Sequence, residues 1–394
     1  MEKITAERVI ESLRNGIPPE ERISEVTVGR KDEINRLKQI LDDNQSIPLM
    51  LNANIGCGKS HLLKFIKQEA LNKGYVTSLI TLDSTSNVRF NRIDQILGQV
   101  CRNIQIPENS SRSVRYLFNA LYDDHSDDDF LEELSNENHW NRSYLLKSPS
   151  IYIALRAWYF SFMEDHDEGI DNITEDWLFH PSNYHNQRKY LYDNLVNSNF
   201  LRRKFREPRP ERRFYNYSEG IFNFRNQDYS QSWDALEDLN DIAIAAGYQG
   251  LIILVDEFED IIHNLRNIKY QQKAFENLFR FFAREFPGII FFAVTPDFVN
   301  KCKTVLLEKG VFEYDYSSFD DLEKFEMSPL TTEQIIDVSD RIISFHELAY
   351  DYKISESTQN AINNLCIKSS RIALEDRVRQ TIKSMIETLD SKIN

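Results

Sequence analysis

Apolar and polar positions alternate along this chain in two different rhythms. Five short runs are apolar at nearly every position: Pro48–Ala53, Val76–Leu82, Leu251–Val255, Ile289–Val294 and the weaker Lys324–Ser328. Such runs, bounded by turn or helix signals, read as strands buried on both faces, as in parallel sheets. Helical stripes surround them. Ala6, Val9, Ile10 and Leu13 share one face of a first helix, which Gly16-Ile17-Pro18-Pro19 stops. Ile34, Leu37, Ile40 and Leu41 stripe a second helix that begins near Lys31, after the extended piece Val26–Arg30. Helical patterns also cover Ser60–Asn72 behind the first strand and Lys269–Phe286 ahead of the fourth. Strands alternating with helices predict an α/β fold around a central parallel sheet.

The alternation lapses once. Residues 103–245 hold no comparable buried strand but many aromatics, Trp140, Trp158, Trp177 and Trp233 among them, and helical patterns such as Ser150–Met163 after Ser148-Pro149. This stretch is expected to be a large, mostly helical insertion and a domain in its own right. Residues 331–394 are again helical, with a start signal at Thr331-Thr332-Glu333-Gln334. The expected organisation is an N-terminal helical segment (1–46), a sheet core (47–102 and 246–330), the insertion (103–245) and a C-terminal helical lid (331–394).

Composition narrows the function classes. Among 394 residues, 47 Lys+Arg face 62 Asp+Glu, a formal net charge of −15. That balance argues against a protein that coats nucleic acid, which needs a positive surface. No apolar run approaches a membrane span, and the charged N-terminus lacks a signal-peptide pattern. The four cysteines (Cys57, Cys101, Cys302, Cys366) are scattered without CxxC or disulfide spacing, so a reducing cytoplasm is expected and no membrane association.

The strongest chemical signal is Ala53-Asn-Ile-Gly-Cys-Gly-Lys-Ser60, which fits the phosphate-binding loop GxxxxGK[ST] except that alanine replaces the first glycine. Glycines let successive backbone N–H groups wrap an anion, and the helix that follows aims its positive end at the same phosphates. Asn54, Ile55, Gly56, Cys57, Gly58, Lys59, Ser60 and His61 are therefore the nucleotide-binding candidates. Lys59 would reach the β- and γ-phosphates, and the Ser60 hydroxyl would ligate Mg²⁺. The second signal is Leu251-Ile-Ile-Leu-Val-Asp-Glu257, a buried strand ending in two carboxylates. Asp256 would hold the metal, and Glu257 would be the general base toward an attacking water. That pair favours hydrolysis over transfer to another acceptor, as a kinase would need. Glu259 and Asp260 read as solvated helix-start residues. Thr295, at the tip of Ile289–Val294, either bonds the water or γ-phosphate or merely begins the loop before Pro296. Among the C-terminal helices, Arg371 is the lid-arginine candidate, with Arg377 and Arg379 as rivals.

Two charge clusters stand apart. Residues 123–138 carry eight carboxylates and no Lys or Arg, which reads as a solvated acidic surface because the glycine of a calcium loop is missing. Within 202–213, Arg202, Arg203, Lys204, Arg206, Arg209, Arg212 and Arg213 outweigh two glutamates, a local +5 beside Phe205, Phe214 and Tyr215. Arginines interleaved with aromatics suit nucleic acid, and an acidic protein partner suits them equally.

Taken in order, these segments resemble the AAA+ ATPases of the origin-recognition type, and more closely the BrxC/BrxD ATP-binding family of bacteriophage exclusion (BREX) systems. The residues that carry the likeness are Val9-Ile-Glu-Ser-Leu-Arg-Asn-Gly-Ile-Pro18, Thr27-Val-Gly-Arg30, Gly56-Cys-Gly-Lys-Ser-His-Leu-Leu63, Ala246–Glu257 and Thr295-Pro-Asp-Phe298. The resemblance implies an ATP- and Mg²⁺-binding P-loop AAA+ module with a helical lid, acting beside other defence proteins of helicase, nuclease or methyltransferase type. It also makes Gly29 and Arg30 nucleotide-binding candidates near the adenine. DNA contact through the insertion and a homo-oligomer are further expectations. Two departures matter. No arginine occurs between Arg284 and Arg341, where many AAA+ rings carry an arginine finger, which leaves Arg280, Arg284, the insertion or a partner to supply one. Only 64 residues follow Leu330, so the winged-helix domain of the origin-recognition proteins is not expected. The expected function is ATP hydrolysis coupled to an anti-phage complex on or near DNA. The alternative is a switch or scaffold that binds ATP and seldom hydrolyses it.

Overall fold

The apolar runs become strands with ends close to those the pattern places. A computed structural model describes residues 2–82, 88–123, 128–135, 143–163, 168–183, 191, 222–259, 261, 265 and 267–393. Its sheet contains β1 (Pro48–Asn52), β2 (Val76–Thr81), β3 (Ile104–Gln105), β4 (Leu251–Asp256), β5 (Ile289–Val294) and β6 (Lys324–Glu326), in the spatial order β3-β2-β4-β5-β1-β6. All neighbours pair in parallel except β3, a two-residue edge strand antiparallel to β2 that no apolar pattern announces. The order separates β1 from β4 by β5. The segments that leave the C-terminal ends of these three strands therefore lie side by side: the glycine loop, residue 295, and the carboxylates.

Side chains alternate across a strand, and here the alternation feeds two cores. Leu251, Ile253, Val255, Phe292 and Val294 face one layer; Leu49, Leu51, Ile252, Leu254, Phe291 and Ala293 face the other. The first layer is built by α5 (Ile93–Asn103), α6 (Val114–Tyr122), α7 (Asp128–Ser135), α8 (Pro149–Phe162), α9 (Glu168–Phe179), α10 (Asn226–Ala245), α11 (Ile268–Phe282) and α12 (Phe298–Glu308). Ser148 caps α8 as its sequence suggests, accepting from the Ile151 N–H, with Pro149 in the first turn. Among the described residues, Trp158, Trp177 and Phe224 share one buried cluster with Phe90 and Phe292 of the sheet layer. The described helices of the insertion thus pack as a layer on this face of the sheet. Helices this rich in aromatics need an apolar face, and the sheet offers one. The segment 202–213 lies outside the described residues.

The second layer joins the two ends of the chain. It contains α1 (Glu2–Arg14), α2 (Ile23–Val26), α3 (Lys31–Asp43), α4 (Lys59–Asn72), α13 (Thr332–Tyr350), α14 (Glu356–Lys368) and α15 (Leu374–Asp390). Thr331 and Gln334 form the capping box that their spacing predicts at the start of α13. Arg14 on α1 donates to both oxygens of Asp390 (3.1 and 2.9 Å) and to the Tyr350 hydroxyl (3.0 Å), while His346 bonds Asp390 at 3.0 Å. The N-terminal helix and the C-terminal helices are therefore one unit, tied by charge-assisted bonds across the length of the sequence.

Candidate functional site

A cavity of about 490 Å³ opens between the C-terminal ends of the strands and the joined terminal helices. It is of the size that ligand pockets usually take. Its polar half is lined by Lys59, Ser60, Asp256, Glu257, Glu259, Thr295 and Lys301. Its apolar half includes Ile17, Val26, Val28, Val338, Ile342 and Val378, supplied by the N-terminal segment and the C-terminal helices.

The loop after β1 begins with the Ala53 N–H donating to the Val294 carbonyl (3.1 Å), which fixes it against β5. Gly56 and Gly58 both adopt left-handed backbone, φ 79° and 88°, which costs an L side chain but not glycine. Gly56 also touches the start of α15: a Cβ built on it would lie 2.1 Å from the Glu375 carbonyl oxygen. Gly58 is the residue before α4, so the first turn of that helix points its free N–H groups toward the loop. Cys57 is buried, and burial pushes its thiol up, so it fills space and is no reactive thiolate.

Arg30 lines the cavity and is also tied into its wall. Only 5% exposed, it donates to the Cys57 carbonyl (2.5 Å), the Ser328 carbonyl (3.0 Å) and Glu33 (3.4 Å). It clamps the glycine loop to the exit of β6 and so shapes the wall that it lines. Gly29 lies under the Gln334 side chain, whose amide donates to its carbonyl at 2.9 Å. Asn54 is exposed, and so is Arg371, at the end of the single turn Ser369–Arg371; neither lines the cavity. Of the three lid arginines weighed, Arg379 lines it. His61 lies 2.8 Å from the Thr27 hydroxyl, which itself donates to the Ile23 carbonyl (2.7 Å), so His61 Nε2 is the donor. Burial, with Arg30 and Lys64 nearby, pushes His61 down to about 4, which leaves the ring neutral at physiological pH.

The carboxylates depend on Phe258. Its buried ring sits between Phe90 (centroids 4.8 Å), Phe292 (4.6 Å) and Phe298 (5.5 Å), which pins the turn after β4. Glu257 precedes the pinned ring and Glu259 follows it. Asp256 accepts the Glu257 N–H at 3.0 Å, and Glu257 holds a left-handed φ of 56° that glycine would adopt more readily. Local strain of this kind gathers at functional sites. Glu259 is not the solvated helix-start residue its sequence context suggests. It is only 19% exposed, its Oε1 lies 3.6 Å from Lys59 Nζ, and Oε2 is buried without a partner. Burial raises its carboxyl, and Lys59 offsets only part of that rise. Lys59 also donates to the Ala53 carbonyl at 3.2 Å. The signal missed was the odd spacing 257/259, which a turn around a buried aromatic folds onto one cavity. Lys301, on α12, carried no sequence signal.

The residues fit a nucleotide and Mg²⁺. Thr295 Oγ1 and Glu259 Oε2 are buried in the cavity wall without hydrogen-bond partners, as in a site that takes a polar ligand. Ser60 and Asp256, a hydroxyl and a carboxylate in the cavity lining, are donors that suit magnesium, which binds through one or two carboxylates together with substrate phosphates. Among the described residues, no helix is long and apolar enough to cross a membrane.

No curated protein and no solved structure matches the chain. A family model described as "BREX system ATP-binding protein BrxC/D" matches residues 1–121 and 226–393, on either side of the insertion's middle. With the glycine loop, the paired carboxylates and the joined termini all inside the matched segments, the chain belongs to the BrxC/D family of ATP-binding proteins of the BREX anti-phage defence system.

Proposed function

We propose that this protein is an AAA+-type ATP hydrolase whose nucleotide cycle serves a BREX assembly on or near DNA. The observation that carries the reading is the convergence of Lys59, Ser60, Asp256, Glu257 and Thr295 on one cavity with an apolar compartment beside it. The loop N–H groups and Lys59 would bind the β- and γ-phosphates, and the apolar half would take the adenine. Ser60 and Asp256 would hold Mg²⁺, which when bound draws charge from the phosphate oxygens. Glu257 would accept the proton of the attacking water, and the Thr295 hydroxyl, between loop and carboxylates, would orient that water or the γ-phosphate. The terminal helices α13–α15 would act as the lid.

The switch reading gains from the arginines. Arg30 is occupied by two carbonyls, and Arg280 is paired with Glu285 (2.7 Å) beneath the Trp233 ring. Arg280 and Arg284 also precede the start of β5, at the end of the strands opposite the one that bears the cavity. Hydrolysis by a single chain is therefore expected to be slow, with faster turnover when a second copy or another BREX protein supplies an arginine. DNA contact through Arg202, Arg203, Lys204, Arg206, Arg209, Arg212 and Arg213 belongs to the same proposal. Phosphate release from ATP by the purified chain tests the reading: slow release that chelation of magnesium abolishes is expected. Tight ATP binding without release, with or without DNA, would leave the switch instead.

A further inference from the structure

We propose that Glu259 is a positioning residue that holds Lys59 by an ion pair and competes with nucleotide phosphate for its ammonium. The inference rests on the nucleotide reading of the cavity. Three observations carry it. The pair is largely withdrawn from water, with Lys59 11% and Glu259 19% exposed, so solvent and salt screen it far less than a surface pair. Among the described residues Lys59 is the partner of Glu259 outside its own turn, and the second Glu259 oxygen is buried without a partner, an unfavourable environment that a purely structural role leaves unexplained. Lys59 has one further partner, the Ala53 carbonyl at the base of its own loop, and that bond can persist when a phosphate arrives.

One ammonium cannot serve a carboxylate and a β-phosphate equally at this depth, because the two anions repel. Binding a nucleotide therefore requires the Lys59–Glu259 contact to loosen. The ion pair keeps the lysine extended at the cavity, and it lowers the affinity for any nucleotide that carries a β-phosphate. The consequence is a site that releases ADP readily after turnover. Phe258 makes the contact specific: its ring fixes the turn, so Glu259 cannot drift from the cavity without disturbing the aromatic cluster.

The test is ADP binding by the full chain, measured by displacement of a fluorescent nucleotide, with magnesium and after chelation. Glu259→Gln should bind ADP about tenfold more tightly in both conditions and release it correspondingly more slowly. A role as general base would leave ADP affinity unchanged. In a Lys59→Met background, titrated to millimolar ADP, the gain should disappear, as coupling through Lys59 requires. Glu259→Ala should give the same gain and serves if the glutamine variant does not fold. Four results overturn the proposal: unchanged affinity, an equal gain without Lys59 (a field effect alone), weaker binding in both conditions, or weaker binding only with magnesium (a metal ligand). Failure of the wild-type chain to bind ADP is a separate outcome, which removes the nucleotide reading and the proposal together.

Discussion

Replacing Glu257 with glutamine is expected to slow ATP hydrolysis about a hundredfold or more while ATP still binds. The substitution keeps size and hydrogen-bonding capacity but removes the proton acceptor, and general-base catalysis typically contributes about 10²–10⁴ in rate. A hundredfold loss corresponds to about 2.7 kcal/mol of transition-state stabilisation. Binding should survive because the loop is shaped by Arg30, Gly56 and the β5 contact of Ala53, none of which involves Glu257. Single-turnover phosphate release and equilibrium ATP titration on the same preparation separate the two effects. Full turnover in this variant, together with loss of turnover in Glu259→Gln, would transfer the base to Glu259.

Gly56→Ala should disturb the site from the opposite side. The added methyl meets the Glu375 carbonyl at 2.1 Å and its carbon at 2.5 Å, both backbone atoms that no rotamer change can move. Left-handed backbone adds roughly 1–2 kcal/mol for a residue with a side chain. Either the start of α15 retreats or the loop changes shape, and both spoil the anion nest. A lower Tm and at least a tenfold loss of ATP affinity are expected. Gly58→Ala is the control. Its φ of 88° carries the same backbone cost, but the nearest atom to the new methyl is His61 Cβ at 3.8 Å, so the loss of stability should be smaller. Equal Tm values for Gly56→Ala and wild type would mean that α15 does not rest on the loop.

The contrast between these two glycines shows what a sequence can carry. GxxxxGK[ST] identifies both as loop residues, since the demand for left-handed backbone is local. That one of them supports a helix more than three hundred positions later is a long-range contact with no local trace. The same division runs through the fold. Leu251–Val255 and Ile289–Val294 were legible because strands buried on both faces need unbroken apolar runs, and Thr331 and Gln334 because a capping box is contained in four residues. Ile104–Gln105 was not, because two residues cannot display a period. Glu259 was misjudged, and the bonds by which Arg30 shapes the loop were missed, for a related reason. Charge near a nucleotide loop suggests contact with the ligand or solvent, whereas burial decides which charges instead hold the loop or its lysine. The tie between Arg14 and Asp390 likewise appears only once the two ends meet.

The central claim is that the glycine loop and Lys59 form an ATP site. Calorimetric titration of the purified chain with Mg·ATP, beside Lys59→Ala, tests it most directly. The account predicts saturable binding at one site per chain by the wild type and a loss of at least a hundredfold in affinity when the lysine is removed. Equal binding by the two proteins would place the nucleotide elsewhere and contradict the account.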